Sequence, residues 1–155
     1  MTDRQPWDQA LLEVLAKDDR RLDLAELAET SGLSQPLLEA AARSGLMLAD
    51  DEGRYSATDA ESITAGLRLV EAGLPLAELL ELARRLNDAL EPLAVEAVEV
   101  FARFVRDSVE ATSDSDQDAA DRLVAAFHSM LPITSDLIAH HFRNLVLAEA
   151  RRRLL

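Results

Sequence analysis

Between residues 22 and 45 the apolar positions recur at helical spacing, and two glycines interrupt them. Asp23 can cap a helix over residues 24–30, because Asp23 and Glu26 have the spacing of a capping box around the first turn. Gly32 suits the left-handed conformation in which many helices end. The pattern therefore predicts a short helix that ends in a tight glycine turn.

A second helix is predicted directly after this turn. Ser34 can cap it, and Pro36 falls in its first turn, where a missing N–H does no harm. The helix is predicted to run to Arg43 and to end at residues 44–45. Two short helices joined by a glycine turn are typical of bihelical DNA-binding motifs.

The following residues predict a small hairpin. Apolar residues 46–48 and Tyr55 flank an acidic, glycine-containing turn at residues 50–53. Two short strands around such a turn would make the wing of a winged helix-turn-helix.

Helical patterns continue through the middle of the chain. A helix is predicted to start near Thr58 and to end at Gly73, and another to open at Pro75. The pattern continues beyond residue 87, where Pro92 either opens a new helix or kinks the helix begun earlier.

The C-terminal part of the chain predicts two further helices. Residues 112–118 have the composition of a loop, and a helix is predicted from there to Met130. Pro132 is predicted to interrupt it, and residues 134–155 to form the last helix.

Together these elements predict a mainly α fold of two domains. Residues 6–17 predict a leading helix with Trp7 as a core anchor. An N-terminal winged helix-turn-helix with a small two-stranded wing is expected over residues 1–90. A helical dimerisation or effector domain is expected over residues 91–155.

Composition limits the function classes. The chain has 155 residues, no cysteine, 4% aromatic residues and a formal net charge of −13. Residues 1–90 carry nine basic and eighteen acidic residues, a net charge of −9, which opposes binding to phosphates unless arginines cluster on one face. We find no signal-peptide pattern and no apolar run of about 18 residues, so we expect a soluble, cytoplasmic protein that does not enter membranes.

The order of the N-terminal motifs resembles the MerR family of transcription regulators. The segments ELAETSGLS, RSGLM, GRYS and VEAGLPLAELLELARRL, within residues 22–88, follow that family's winged-helix pattern. The resemblance implies a DNA-binding homodimer. The positions that would contact DNA are Ser34, Gln35, Arg43, Arg54 and Tyr55.

One stretch departs from the family pattern. The recognition helix of the family has an Arg followed by two Tyr, and this chain has Glu39, Ala40 and Ala41 at those positions. A carboxylate facing the groove is repelled by phosphates and can at best accept a hydrogen bond from a cytosine amino group.

The segment SMLPITSDLIAHHFRNLVLAEARRRLL is similar to regulatory regions of actinobacterial class III adenylyl cyclases. Those regions are helical dimeric modules, associated with pH sensing or fatty-acid binding, whose helix-turn-helix-like start does not bind DNA. The similarity implies an alternative function, a sensory module that binds an apolar, fatty-acid-like ligand or a partner protein.

Candidate effector residues lie in the C-terminal half. All four phenylalanines follow residue 100, and with one histidine they are the candidates to line an apolar pocket: Phe101, Phe104, Phe127, His141 and Phe142. A purely structural role for these side chains, in the core or at a dimer interface, is the alternative.

Metal and enzyme chemistry find little support in the sequence. The neighbouring His140 and His141 diverge by about 100° on a helix, so they cannot ligate one ion together. The chain also lacks a phosphate-binding glycine loop and a zinc-protease motif. The sequence therefore predicts no enzyme, no metal and no cofactor.

Overall fold

A computed structural model of the protein describes residues 20–111 and 114–155. The predicted leading helix at residues 6–17, with Trp7, lies outside the described residues. The described chain divides into two compact units, residues 20–99 and residues 100–155. We call the first unit the head. The predicted domain boundary at residue 90 stays a prediction.

The fold is mainly α with one two-stranded antiparallel sheet in the described residues, as predicted. Its elements in chain order are β1 (Arg21–Leu22), α1 (Leu24–Ser31), α2 (Gln35–Arg43), β2 (Tyr55–Ser56), α3 (Asp59–Glu71), α4 (Leu76–Glu110) and α5 (Asp116–Leu154). The head contains β1 to α3 and the part of α4 up to residue 99. Among the described helices, none has an apolar stretch long enough to cross a bilayer.

Both short helices of the head begin and end where the sequence predicts. The Asp23 carboxylate accepts from the backbone N–H of Glu26 at 2.8 Å, and the Glu26 carboxylate accepts from the backbone N–H of Asp23 at 3.0 Å. This reciprocal pair satisfies two N–H groups at the start of α1. Gly32 ends the helix with a φ of +74°, and α2 follows with Ser34 at its N-cap.

The sheet differs from the predicted hairpin in its first strand. β2 pairs with β1, in the register Arg21–Ser56 and Leu22–Tyr55, and residues 46–48 form no strand. The prediction of a strand there was wrong, because the backbone N–H of Leu46 bonds to the carbonyl of Ala41 at 3.1 Å and so helps to end α2.

The core of the head fixes α1, α2 and α3 against one another. Leu27 and Leu38 are fully buried, and the remaining buried members are Leu22, Ala41, Met47, Ala60 and Ile63. Met47 belongs to the segment that was predicted as a strand. Its apolar side chain is buried in the core of the head and is not part of a β-strand. Tyr55 packs against the edge of this cluster.

The second unit joins the end of α4 to α5 through a smaller core. Val105 and Leu123 are buried, with three partly buried side chains packed against them: Ala119, Ala126 and Met130. Beside them, the rings of Phe101 and Phe127 meet edge to face, with centroids 6.5 Å apart. Edge-to-face pairs of this kind stabilise a core beyond the area they bury.

Pro92 and Pro132 both lie inside helices. Of the two alternatives for Pro92, the structure shows one longer helix, α4. The predicted break at Pro132 was wrong, since α5 continues through it. Proline removes one N–H from the helical ladder. Two further bonds span Pro132: the hydroxyls of Thr134 and Ser135 donate to the carbonyls of Met130 and Leu131, at 2.9 and 3.0 Å.

The last helix begins inside the segment 112–118 that was predicted as a loop. α5 already begins at Asp116, because the Ser115 hydroxyl accepts from the backbone N–H of Asp118 at 3.2 Å. This bond caps the helix three residues earlier than the composition suggests.

Candidate nucleic-acid interface and neighbouring surfaces

The outer face of α2 presents two of the predicted DNA-contacting residues, Gln35 and Arg43, in one row. Helical spacing aligns Gln35, Glu39 and Arg43 along this face, while Leu38 and Ala41 on the inner face are buried in the core. Ser34, Gln35 and Arg43 are exposed to solvent. The fold therefore directs the three predicted contact positions in and beside α2 outward.

The centre of that row is a carboxylate. The Gln35 side-chain amide donates to Glu39 at 3.1 Å, so the group that would read a base edge is paired within its own helix. Glu39 also separates Gln35 from Arg43 along the face. A phosphate approaching Arg43 would meet the negative charge of Glu39 one helical turn away.

Arg54, the predicted wing cation, is held by carboxylates of its own turn. Its guanidinium forms an ion pair with Glu52, and its Nε lies 3.8 Å from Asp50. That Nε is buried and has no hydrogen-bond partner among the described residues. Arg54 is therefore oriented toward two negative side chains, which compete with an external phosphate.

Asp50 organises this turn. Its carboxylate accepts the backbone N–H groups of Arg54 and Glu52, each at 2.9 Å. The bond from the Arg54 N–H, with the Glu52 N–H and the nearby arginines, lowers the pKa of Asp50 despite partial desolvation. Asp50 therefore stays ionised and keeps its charge beside the Arg54 guanidinium.

The predicted interface is acidic as a whole. Its basic residues are Arg43 and Arg54, and the same two segments contribute four carboxylates, from Glu39, Asp50, Asp51 and Glu52. Across residues 20–99 the sequence has seven basic and sixteen acidic residues, a net charge of −9. Tyr55 is half-buried against the core, so its ring serves the fold of the head.

The head also has an apolar groove that the sequence did not predict. One wall is the segment that follows α2, and the other is one face of α4. The volume is about 380 Å³, and the lining residues are Gly45, Leu46, Leu48, Ala83, Leu86, Asn87, Leu90, Glu91 and Ala94. The sequence signal for this groove was the pair of leucines Leu46 and Leu48 on either side of Met47. The hairpin prediction assigned these three residues to a strand.

The predicted effector residues are not gathered into one pocket. Phe101 and Phe127 pack on each other, but Phe104 and Phe142 are 67% and 51% exposed. His141 is exposed as well. Side chains this exposed do not line a closed cavity, so the role of this set in effector binding stays a prediction.

The later part of α5 has an exposed apolar stripe. We call residues 131–154 distal α5; all of them are exposed except Thr134, Glu149 and Ala150, which are half-buried. Leu131, Ile138 and Leu145 recur every seven residues on one face, and Phe142 lies beside them. Seven-residue spacing of apolar side chains is characteristic of helices that pair.

Metal binding gains no support from the described side chains. Within residues 20–111 and 114–155, no group of three or more His, Asp or Glu residues is arranged to hold a metal ion. His140 is instead 3.1 Å from the side-chain amide of Asn144, one turn later on α5.

Comparison with known proteins gives no family for the chain. No protein-family model matches it, and no curated protein matches it either.

Proposed function

We propose that the protein is a homodimeric regulatory module whose winged helix-turn-helix head acts through protein contacts instead of DNA. The observation that carries this proposal is the position of Arg54 between Asp50 and Glu52. DNA affinity comes mainly from cations that replace counterions along the phosphates. In this head the wing cation is paired with carboxylates of its own turn, and Glu39 places a negative charge on the exposed face of α2.

Distal α5 supports the dimeric part of the proposal. An isolated helix is marginal in water, because most helical stability in proteins comes from packing of an apolar face. Distal α5 keeps a long exposed stripe centred on Ile138 and Leu145. The same helix has charges of both signs, from Asp136, Arg143 and Glu149. Opposite charges on two copies of the helix can therefore face each other.

A second candidate function is a MerR-like, DNA-binding transcription regulator. The observation in its favour is the arrangement of α1 and α2, two short helices joined by a turn at Gly32, with Arg43 exposed at the end of α2. Under this alternative Ser34, Gln35, Arg43, Arg54 and Tyr55 contact DNA.

Fluorescence anisotropy of labelled duplex DNA distinguishes the two functions. The duplexes are the upstream region of the protein's own gene and a scrambled control, each measured at 50 and 200 mM salt. The proposed function predicts no saturable binding to either duplex. It also predicts the same result for Arg43→Ala/Arg54→Ala as for the unaltered chain.

Two outcomes would favour the DNA-binding regulator instead. One is saturable binding to the upstream duplex that the double alanine variant loses. The other is affinity that falls steeply with salt, as expected when several phosphates are neutralised. A Glu39→Arg/Glu52→Gln variant serves as the positive control, because it reduces the negative charge on both parts of the predicted interface.

A further inference from the structure

The apolar groove of the head is formed by a close approach of two chain segments. Gly45 has a φ of +81°, and a Cβ placed on it would lie 2.5 Å from Cγ of Asn87. A glycine is therefore required for this segment to approach α4 so closely. Leu46 and Leu48 follow Gly45 in the chain and line the groove together with one face of α4.

The groove follows α4 for about three turns. Its lining positions on α4 run from Ala83 to Ala94 at spacings of three and four residues, a length of roughly 17 Å at 1.5 Å per residue. This length matches the apolar anchors of a helix that lies in a groove, which recur over two to three turns. The amide of Asn87 and the carboxylate of Glu91 add two polar groups to a floor that is otherwise apolar.

Exposure favours a peptide helix over a small molecule as the occupant. Leu48 is 69% exposed and Leu86 is 40% exposed, so the groove is open along its length. Small-molecule sites bury most of the ligand surface in a concave pocket. An open groove instead covers one face of a bound helix and leaves the other face of that helix in water.

The charge around the groove indicates which charges a bound partner helix should have. Among the described residues that line it, Glu91 is the only charged one. The wall that contains Leu48 leads directly into the acidic turn of Asp50, Asp51 and Glu52. On α4, Arg84 and Arg85 are paired with acidic neighbours on the same helix. A complementary partner therefore has basic residues beside its apolar stripe.

We propose that this groove binds an amphipathic helix of a partner protein, with leucine-like anchors on one face and lysine or arginine along its flanks. The proposal rests on the proposed function, since it names the protein contact through which the head acts. It does not depend on how two copies pair.

Two synthetic peptides test the proposal against the full chain. Both are 18-residue helices with leucines at spacings of three and four; one has lysines on its polar face and the other has glutamates. Fluorescence anisotropy should show that the lysine peptide binds at least tenfold more tightly than the glutamate peptide. Leu48→Glu should weaken binding of the lysine peptide at least tenfold, although the substitution adds a negative charge.

The matched control is Leu69→Glu, which makes the same change at a half-exposed leucine of α3 outside the groove. It should leave binding unchanged. Equal affinity for both peptides would overturn the proposal, and so would an unchanged affinity in Leu48→Glu. Displacement of the peptide by a long-chain fatty acid would assign the groove to a small apolar ligand. Loss of the dimer in Leu48→Glu would assign it to a second copy.

Failure of the proposed function is distinguishable from failure of this inference. Saturable, salt-sensitive binding of duplex DNA would overturn the proposed function, whatever the peptides do. Absence of peptide binding in a chain that forms dimers and ignores DNA would overturn the groove assignment alone.

Discussion

The guanidinium of Arg54 lies beside two carboxylates of the turn that precedes it. The sequence shows the charges of Asp50, Glu52 and Arg54 but not this arrangement, because it depends on the Asp50 carboxylate accepting two backbone N–H groups. Glu39 is different: its charge at the centre of the α2 face follows from helical spacing alone. At the scale of residues, the sequence therefore predicted the acidic α2 face but not the pairing of the wing arginine.

Gly45 gives a stability prediction at this scale. Gly45→Ala should lower the free energy of unfolding by about 2 kcal/mol or more, because it combines a positive φ with a Cβ too close to Asn87. Chemical denaturation monitored by circular dichroism measures the change.

Gly53→Ala is the matched control. Gly53 also has a positive φ, +73°, but a Cβ there meets nothing within 4 Å. The free energy of unfolding of Gly53→Ala should fall by only about 1 kcal/mol, which is the cost of placing an alanine in the left-handed conformation. Equal losses in the two variants would contradict the close approach of the Gly45 segment to α4.

At the scale of elements, local signals predicted the helix ends and failed where tertiary packing decides. The capping box of Asp23 and the positive φ of Gly32 are set by residues within one turn, and both are observed. Residues 46–48 alternate in burial around Met47, as a strand would, yet they form no strand. Pro132 was predicted to end a helix because proline removes a backbone N–H from the helical ladder, yet α5 continues through it.

Glu81 on α4 gives a prediction for pH dependence. Its hydrogen bonds to the side chains of Arg84 and Arg85 lower its pKa from 4.5 to about 2. A carboxylate with a lowered pKa stabilises the folded state above its unfolded pKa. That contribution is lost as the pH falls from about 4.5 toward 2.

Glu81→Gln should therefore melt at a lower temperature than the unaltered chain at pH 7. The difference should shrink steadily below pH 4.5. Differential scanning calorimetry across pH 2.5–7 measures it, with Glu78→Gln as a control one turn earlier on the same helix. A difference in melting temperature that stays constant over this range would contradict the ion pairs of Glu81.

At the scale of the whole molecule, charge and apolar surface are unevenly distributed between the two units. The sequence places a net charge of −9 on residues 20–99 and −1 on residues 100–155. The exposed stripe of distal α5 lies in the less charged unit. The spacing of Leu131, Ile138 and Leu145 made this face predictable from the sequence, but the exposure of its side chains follows only from the structure.

The mass of the protein in solution tests the dimeric account most directly. Sedimentation equilibrium of the full chain should give twice the chain mass of 17.0 kDa. Ile138→Glu/Leu145→Glu should give a single chain, because two buried charges would face the partner helix. Leu147→Glu, on the opposite face of α5, should remain a dimer. A monomeric unaltered chain, or a double variant that keeps the mass of a dimer, would contradict the account.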